Sequence, residues 1–312
     1  MNYRFVIGRI GQAIPVLVLV VVLSFLMIRL VPGNPGRQVL GPRASDQAVA
    51  AINKQLGVSE ALPIQLWNYV SGLAQGDLGY SVVNQRPVSQ LVNDRIGPTA
   101  LLVIYSAILV MLLTVPLAFI AASRPNGILD HLIGAIPVMG IGLPTFWFAL
   151  ILILLFSVNL NWFPVGGYES SPVGVLRSLF LPAVTVAVSI LPFTIRGLRI
   201  ALIDVLGSDY IAAARARGLP RRTVLIRHAL RNAIIPVIVV LGLNIGWLVG
   251  NTLVVEKVFA IPGLGSLLFD SVLNRDYRVV QAATLLIAIL VITVNVVTDI
   301  ARVALDPRAQ DR

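Results

Sequence analysis

The sequence predicts an all-α integral membrane protein of six transmembrane helices, with an extracytoplasmic helical segment after the first span. Composition is the first ground. Hydrophobic residues make up 57% of the 312 and charged residues 12%, whereas a soluble domain carries about 25% charged residues. Run length is the second, since six apolar runs approach the roughly 20 residues that a helix needs to cross hydrocarbon. The third is punctuation: the breaks between these runs are polar or rich in Gly and Pro.

The first span is read at 10–31. It is long, contains Pro15, and runs into "RLVPGNP" without a small-x-small cleavage site, so it reads as a retained anchor, not a signal peptide. Residues 32–97 follow as an outer segment of short amphipathic helices. Ser45 caps the first of these, with Val49, Ile52 and Leu56 at helical spacing and Gly57 as its stop. A second carries Trp67, Val70 and Leu73, and a third carries Val88, Leu91, Val92 and Ile96. Two readings of this segment stand open: a cap over the bundle, or a docking or gating surface for an external partner. The remaining spans are read at 98–122, 132–158, 179–199, 234–255 and 281–304. Pro116, Pro144, Pro192 and Pro236 are expected to distort them. The chain thus divides into 1–31, 32–97 and a five-helix core, 98–312, that includes a loop at 200–233.

Arginine placement sets the orientation. With the N-terminus cytoplasmic, the inner segments hold Arg4, Arg9, Arg124, the eight arginines from Arg196 to Arg231, Arg302, Arg308 and Arg312, which is 14 of the 24 basic residues. The short outer loops hold only Arg177, Lys257, Arg275 and Arg278. The positive-inside rule therefore places both termini in the cytoplasm.

One inner stretch is unusually basic. "SDYIAAARARGLPRRTVLIRHALRNAIIP" (208–236) holds six arginines and one acid. Ser208 and Asp209 suit a helix start, and "YIAAARAR" favours a helix. Gly218 suits a left-handed cap, and Pro220 begins a second helix over 220–232 that leads into the fifth span. Ala212, Ala213, Ala214 and Ala216 make the first helix smooth enough to enter a groove on another protein, with Arg215, Arg217, Arg221 and Arg222 able to reach acidic groups on its rim. Attraction to anionic lipid explains the charge but requires no such turn.

This stretch resembles the cytoplasmic coupling loop of ABC-importer permeases, and more narrowly the dipeptide/oligopeptide/nickel family in its first-permease branch. The resemblance covers nearly the whole chain through "RLVPGNP" (29–35), "GDLGYS" (76–81), "GIGLPTFWF" (140–148), "RHALRNAIIPV" (227–237), "VEKVFAIPGLG" (255–265), "RDYRVVQ" (275–281) and "LDPR" (305–308). Ala212, Ala213 and Ala214 stand at the first three places of the loop pattern and Gly218 at its glycine. The pattern's leading Glu is missing, and Arg231 stands where its proline is expected. The resemblance implies a type I ABC-importer permease architecture and a loop seated in a cleft of an ATP-hydrolysing subunit. It implies as partners a second homologous permease, one or two ABC ATPase subunits and an extracytoplasmic solute-binding protein. Short peptide is the family's commonest cargo, and nickel chelates, glutathione and other small solutes use close relatives.

The residues exclude a motor within this chain. A P-loop needs a lysine followed by Ser or Thr, and the only lysines, Lys54 and Lys257, precede Gln55 and Val258. No cofactor is expected here, and the resemblance implies that ATP and Mg bind partner subunits. With no cysteine and only His131 and His228, neither a metal site nor a catalytic constellation emerges. An ion-coupled carrier or a channel acting without ATP is the rival class, and a scaffold or insertion factor is a third. Carriers place ionisable groups at mid-membrane, where these spans hold almost none. Asp299, near the inner end of the last span, is expected to pair with Arg302. On the fifth span Gly242, Gly246 and Gly250 form a smooth packing seam, and Asn244 and Asn251 fall on roughly the opposite face. Asn244, Asn251 and Pro144 are the candidates for a translocation path.

Overall fold

The computed structural model describes residues 3–30, 35–41, 43–55, 60–142, 144–220 and 223–305. In chain order these form α1 (Tyr3–Leu30), α2 (Pro35–Leu40), α3 (Asp46–Gln55), α4 (Leu62–Ala74), a two-residue hairpin of β1 (Tyr80–Ser81) and β2 (Arg86–Pro87), and α5 (Val88–Ser123). They continue as α6 (Ile128–Gly142), α7 (Thr145–Leu152) with a π-helical extension (Ile153–Asn159), α8 (Pro172–Val188), α9 (Leu191–Leu206) and α10 (Asp209–Ala216). A second π-helix (Val224–Leu230) runs into α11 (Arg231–Val258), followed by α12 (Leu264–Leu273) and α13 (Tyr277–Leu305). In the hairpin Tyr80 pairs with Pro87 and Ser81 with Arg86, antiparallel.

Among the described residues, Val88–Ser123 and Tyr277–Ile300 are helices long and apolar enough to cross a membrane. The α8–α9 pair, bent by 60°, is a third if it counts as one span. Pro192, the second residue of α9, lies just beyond this bend. The run expected as a third span is divided, with Pro144 as the extended N-cap of α7 (φ −58°, ψ 132°). Pro116, by contrast, sits inside an unbroken α5.

The chain forms two compact units. One comprises residues 1–10, 98–261 and 291–312, and the other 11–97 and 262–290. In the first unit α11 packs against α7, α8 and α9, and α6 packs against α9. Leu179, Ile190, Leu198, Leu202 and Leu248 are buried there. A forked ion pair crosses between α9 and α6: Arg199 Nε donates to Asp130 Oδ1 and Nη2 to Oδ2. Asp130 also accepts the Asn126 N–H at 2.8 Å. Arg199 above all, together with that N–H, holds the buried Asp130 carboxyl below the usual carboxylate range. The side chain of Arg302, the expected partner of Asp299, lies outside the described residues. Arg9 Nε of α1 lies 3.2 Å from Asp299 Oδ2 of α13, so the first and last helices are joined near their outermost turns.

In the second unit Val88, Leu91, Val92, Leu264, Leu267, Val279 and Ala282 form one core. Here one expectation is corrected. The run 88–96 is no separate amphipathic helix but the first turns of α5, which continues through Pro98. An interior proline costs about 3 kcal/mol. Burying three branched side chains at about 1.5–3 kcal/mol each outweighs it. A hydrogen-bonded cluster ties the hairpin to the turn before α13: Ser81 Oγ donates to Asp276 Oδ2, Asn84 Nδ2 donates to the same oxygen at 3.0 Å, and the Asn84 N–H donates to Ser81 Oγ at 2.9 Å. The predicted Ser45 cap is present, accepting the Ala48 N–H at 3.3 Å. The Leu56–Gly57 stop lies outside the described residues.

Candidate functional site

The basic stretch folds as its residues require. α10 opens at Ser208, whose backbone is extended (φ −76°, ψ 150°). Its side chain does not cap the helix as expected. The hydroxyl donates back to the Val205 carbonyl at 2.6 Å, and the Ser208 carbonyl accepts the N–H groups of Ile211 and Ala212. Asp209 supplies the negative charge that favours the first turn. Eight residues later the helix ends in a Schellman turn. Gly218 has φ +76°, its N–H donates to the Arg215 carbonyl at 2.9 Å, and the Leu219 N–H reaches the Ala214 carbonyl at 3.4 Å. A Cβ on Gly218 would meet nothing within 4 Å, so glycine is required by backbone conformation and not by space. The chain restarts at once: the Pro220 carbonyl accepts from Thr223 and Val224 at 2.9 and 3.1 Å.

Packing divides α10 into two faces. Ile211 and Ala214 are buried, as are Val224, Ala229 and Ala233 on the segment that follows. Asp209, Ala212, Ala213, Arg215, Ala216, Arg217 and Gly218 are exposed. Of the alanines read as a docking surface, Ala214 therefore faces inward and holds the helix in place, while Ala212 and Ala213 are presented outward. Neither Arg215 nor Arg217 takes part in the ion pairs Arg9–Asp299, Arg37–Asp46, Arg86–Asp94 and Arg199–Asp130. Arg221 and Arg222 lie outside the described residues. The second helix is π-wound over Val224–Leu230 before becoming α11, a feature with no sequence signal. An exposed helix face, the left-handed turn at Gly218 and the helical segment from Val224 onward thus follow one another along the chain.

The path candidates converge in part. Asn251 of α11 accepts from Thr145 Oγ1 at 3.3 Å, next to Pro144 at the break between α6 and α7. Its buried Nδ2 has no partner among the described residues. Asn244 is half-buried on the same helix. At two of the seam's glycines the space is open among the described residues: a Cβ on Gly246 would meet Val291 only at 3.9 Å, and one on Gly250 would meet nothing within 4 Å. Gly242 is part of the same helix.

Sequence reasoning missed the far end of α11. Glu256 is fully buried and accepts from Thr99 Oγ1 at 2.6 Å. Beyond it the helix closes in another Schellman turn, this time on Ala260 at φ +51°, with the Ile261 N–H on the Glu256 carbonyl at 2.8 Å and the Ala260 N–H on that of Lys257 at 3.3 Å. The Phe259 carbonyl accepts the Gly167 N–H at 2.8 Å, and a Cβ on Gly166 would stand 2.7 Å from that oxygen. The loop around 166 thus grips the helix end. Only the acid in "VEKVFAIPGLG", at the edge of an apolar run, could have signalled a buried group.

Residues 114–311 match the family of binding-protein-dependent transport system inner membrane components, and residues 2–104 match its N-terminal counterpart. The chain belongs to this family. Glutathione transport system permease protein GsiC from Salmonella typhimurium LT2 is 40% identical over 304 residues, covering 97% of this chain and 98% of the relative. The same protein from Escherichia coli K12 matches at the same identity and coverage. The chain is thus a permease subunit of an ABC importer, a multi-pass membrane protein of the peptide, nickel and glutathione type.

Proposed function

We propose that this permease forms half of the translocation path of an ATP-driven importer of short peptides, and that α10 with the turn at Gly218 couples the path to a separate ATPase subunit. The observation that carries the coupling role is the outward face of α10, which is smooth and basic and is set on a left-handed turn that continues into α11. Asp209, Ala212, Ala213, Arg215, Arg217, Arg221 and Arg222 are assigned to contact with the ATPase, and Ala214 to seating the helix. ATP and Mg bind that partner and not this chain. A second homologous permease completes the path, and a solute-binding protein delivers cargo from outside. The open face at Gly246 and Gly250 is assigned to the second permease.

Peptide cargo is supported in two ways. The relatives are named for transport of glutathione, itself a tripeptide. The unsatisfied Asn251 amide beside Thr145 and Pro144 suits a peptide carbonyl, because a buried donor gains most from such a partner. Uptake of labelled glutathione and of dipeptides into vesicles holding the complete transporter tests this. ATP-dependent uptake of either supports the reading. ATP-independent uptake, or uptake of neither, refutes it.

Six spans with both termini cytoplasmic are proposed for the chain, divided as 1–31, 32–97 and 98–312. The long-range polar links support this topology. Arg9–Asp299 and Asp130–Arg199 each join two segments that arginine placement puts inside. Ser81–Asp276 and Thr99–Glu256 each join two that it puts outside. A wrong span count would set some of these partners on opposite sides. Because the chain has no cysteine, single cysteines at Arg124 and Val83 report sidedness: a membrane-impermeant maleimide added outside should label only the second.

A further inference from the structure

We infer that α4 lies in the outer-leaflet interface of the bilayer, with Pro63, Trp67, Val70 and Ala74 against lipid. At 100° per residue these four side chains fall within an arc of about 60°. All four are exposed, Trp67 by 71% and Val70 by 40%. The opposite side of the helix is the buried one, and it carries Gln65 and Tyr69. The polar Gln65 and amphipathic Tyr69 face protein, and the largest apolar side chain of the helix faces out. No residue of Leu62–Ala74 is charged. A permanently water-exposed face of this kind is disfavoured in a soluble setting.

Depth identifies what covers it. Tyr69 stacks on Phe25 of α1, with ring centroids 6.1 Å apart and planes at 20°. Both residues are 7% exposed, so the contact is closely packed. Phe25 lies five residues before the end of the apolar run at Leu30, about 8 Å along the helix axis. That is the depth, about 5–10 Å, at which interfacial amphipathic helices sit in the boundary between headgroups and acyl chains. Leu19, Leu23 and Leu26 of α1, exposed by 56%, 48% and 43%, continue the apolar surface on the same unit. Tryptophan is the residue most at home at this level, since its ring is apolar and its indole N–H still reaches polar headgroups. A docking protein that comes and goes would leave this patch bare between visits, whereas lipid covers it at all times. The inference rests on α1 crossing the membrane, as proposed above.

The test uses the complete transporter, with partner subunits free of reactive cysteine, in vesicles of phosphatidylethanolamine and phosphatidylglycerol. Since the chain has no cysteine of its own, Trp67→Cys, Val70→Cys, Asn68→Cys and Leu19→Cys each carry one bimane label. Asn68 is exposed on another side of α4 and Leu19 is exposed on α1. Lipids brominated high on the acyl chain should quench the labels at 67 and 70 about threefold more than aqueous iodide does. Iodide should win at 68, and lipids brominated deep in the chain should win at 19. Iodide quenching at 67 and 70 with lipid quenching at 19 overturns the inference while leaving the membrane-crossing α1 intact. Protection of 67 and 70 only after the solute-binding protein is added overturns it in favour of protein docking. Iodide quenching at 19 overturns both the inference and the proposed first span.

Discussion

Replacing Gly218 isolates the backbone requirement of the coupling turn from every side-chain contact. Its φ of +76° lies in the left-handed region, and an added Cβ meets nothing within 4 Å. The penalty therefore comes from conformation alone, and three substitutions grade it. Asn tolerates this region and should cost a few tenths of a kcal/mol, roughly a twofold shift at most. Ala should cost about 1 kcal/mol, a shift of about fivefold in the equilibrium between formed and unformed turn. Val, branched at Cβ, should cost about 2 kcal/mol, about 30-fold. Because the turn lies between α10 and α11, the loss should appear in coupling more than in assembly. The assay is the ratio of solute transported to ATP hydrolysed by the complete transporter in vesicles, with membrane insertion checked by labelling. The ratio should fall in the order Gly, Asn, Ala, Val while all four variants insert equally. A Val variant that transports with the native ratio, or an Asn variant as defective as Val, would refute the reasoning.

Three further outcomes are expected. Ala260→Gly relieves a left-handed alanine at the far end of α11 and should raise stability by about 0.5–1 kcal/mol, read as a higher Tm in detergent. Asp130→Asn leaves Arg199 without its forked partner and should destabilise by about 2–3 kcal/mol, short of the fully buried limit because Arg199 is part-exposed. The folded Asp130 carboxyl ionises below its unfolded range, so its stabilisation is present at neutral pH and is lost only as pH falls through that depressed value. The Tm gap between native and Asp130→Asn chains should accordingly stay constant from pH 8 to about pH 5 and close only below about pH 4; a gap that closed near neutrality would count against the assigned pair. Ser81→Ala removes a donor from buried Asp276 and should cost about 1–3 kcal/mol, with faster proteolysis of the 76–87 region as the local readout.

What could be read in the residues was what neighbours along the chain decide. The elbow at 208–220 is the best case, because an Ala-rich helix, a Gly cap and a following Pro are chemically local. The same turn closes α11 on Ala260 and α12 on Arg275 (φ +55°), and there no glycine announces it. Tertiary packing imposes those two conformations, and propensity cannot foresee them. The polar links were hidden for a related reason: Asp130 and Arg199 are 69 residues apart, Thr99 and Glu256 157, Ser81 and Asp276 195. The Arg9–Asp299 contact was hidden in the same way, since it joins the first described helix to the last. The orientation of α4 could not be read from its spacing, and the stacking of Tyr69 on Phe25 shows which face is buried.

The joining of Arg9 to Asp299 has a bearing on how the molecule is made. A ribosome makes α1 before α13, so Arg9 is in place long before Asp299 reaches it. Ser81 likewise waits 195 residues for Asp276. A chain halted before residue 276 lacks both Asp299 beside Arg9 and Asp276 beside Ser81, so these two links form only when almost all of the described chain has been made.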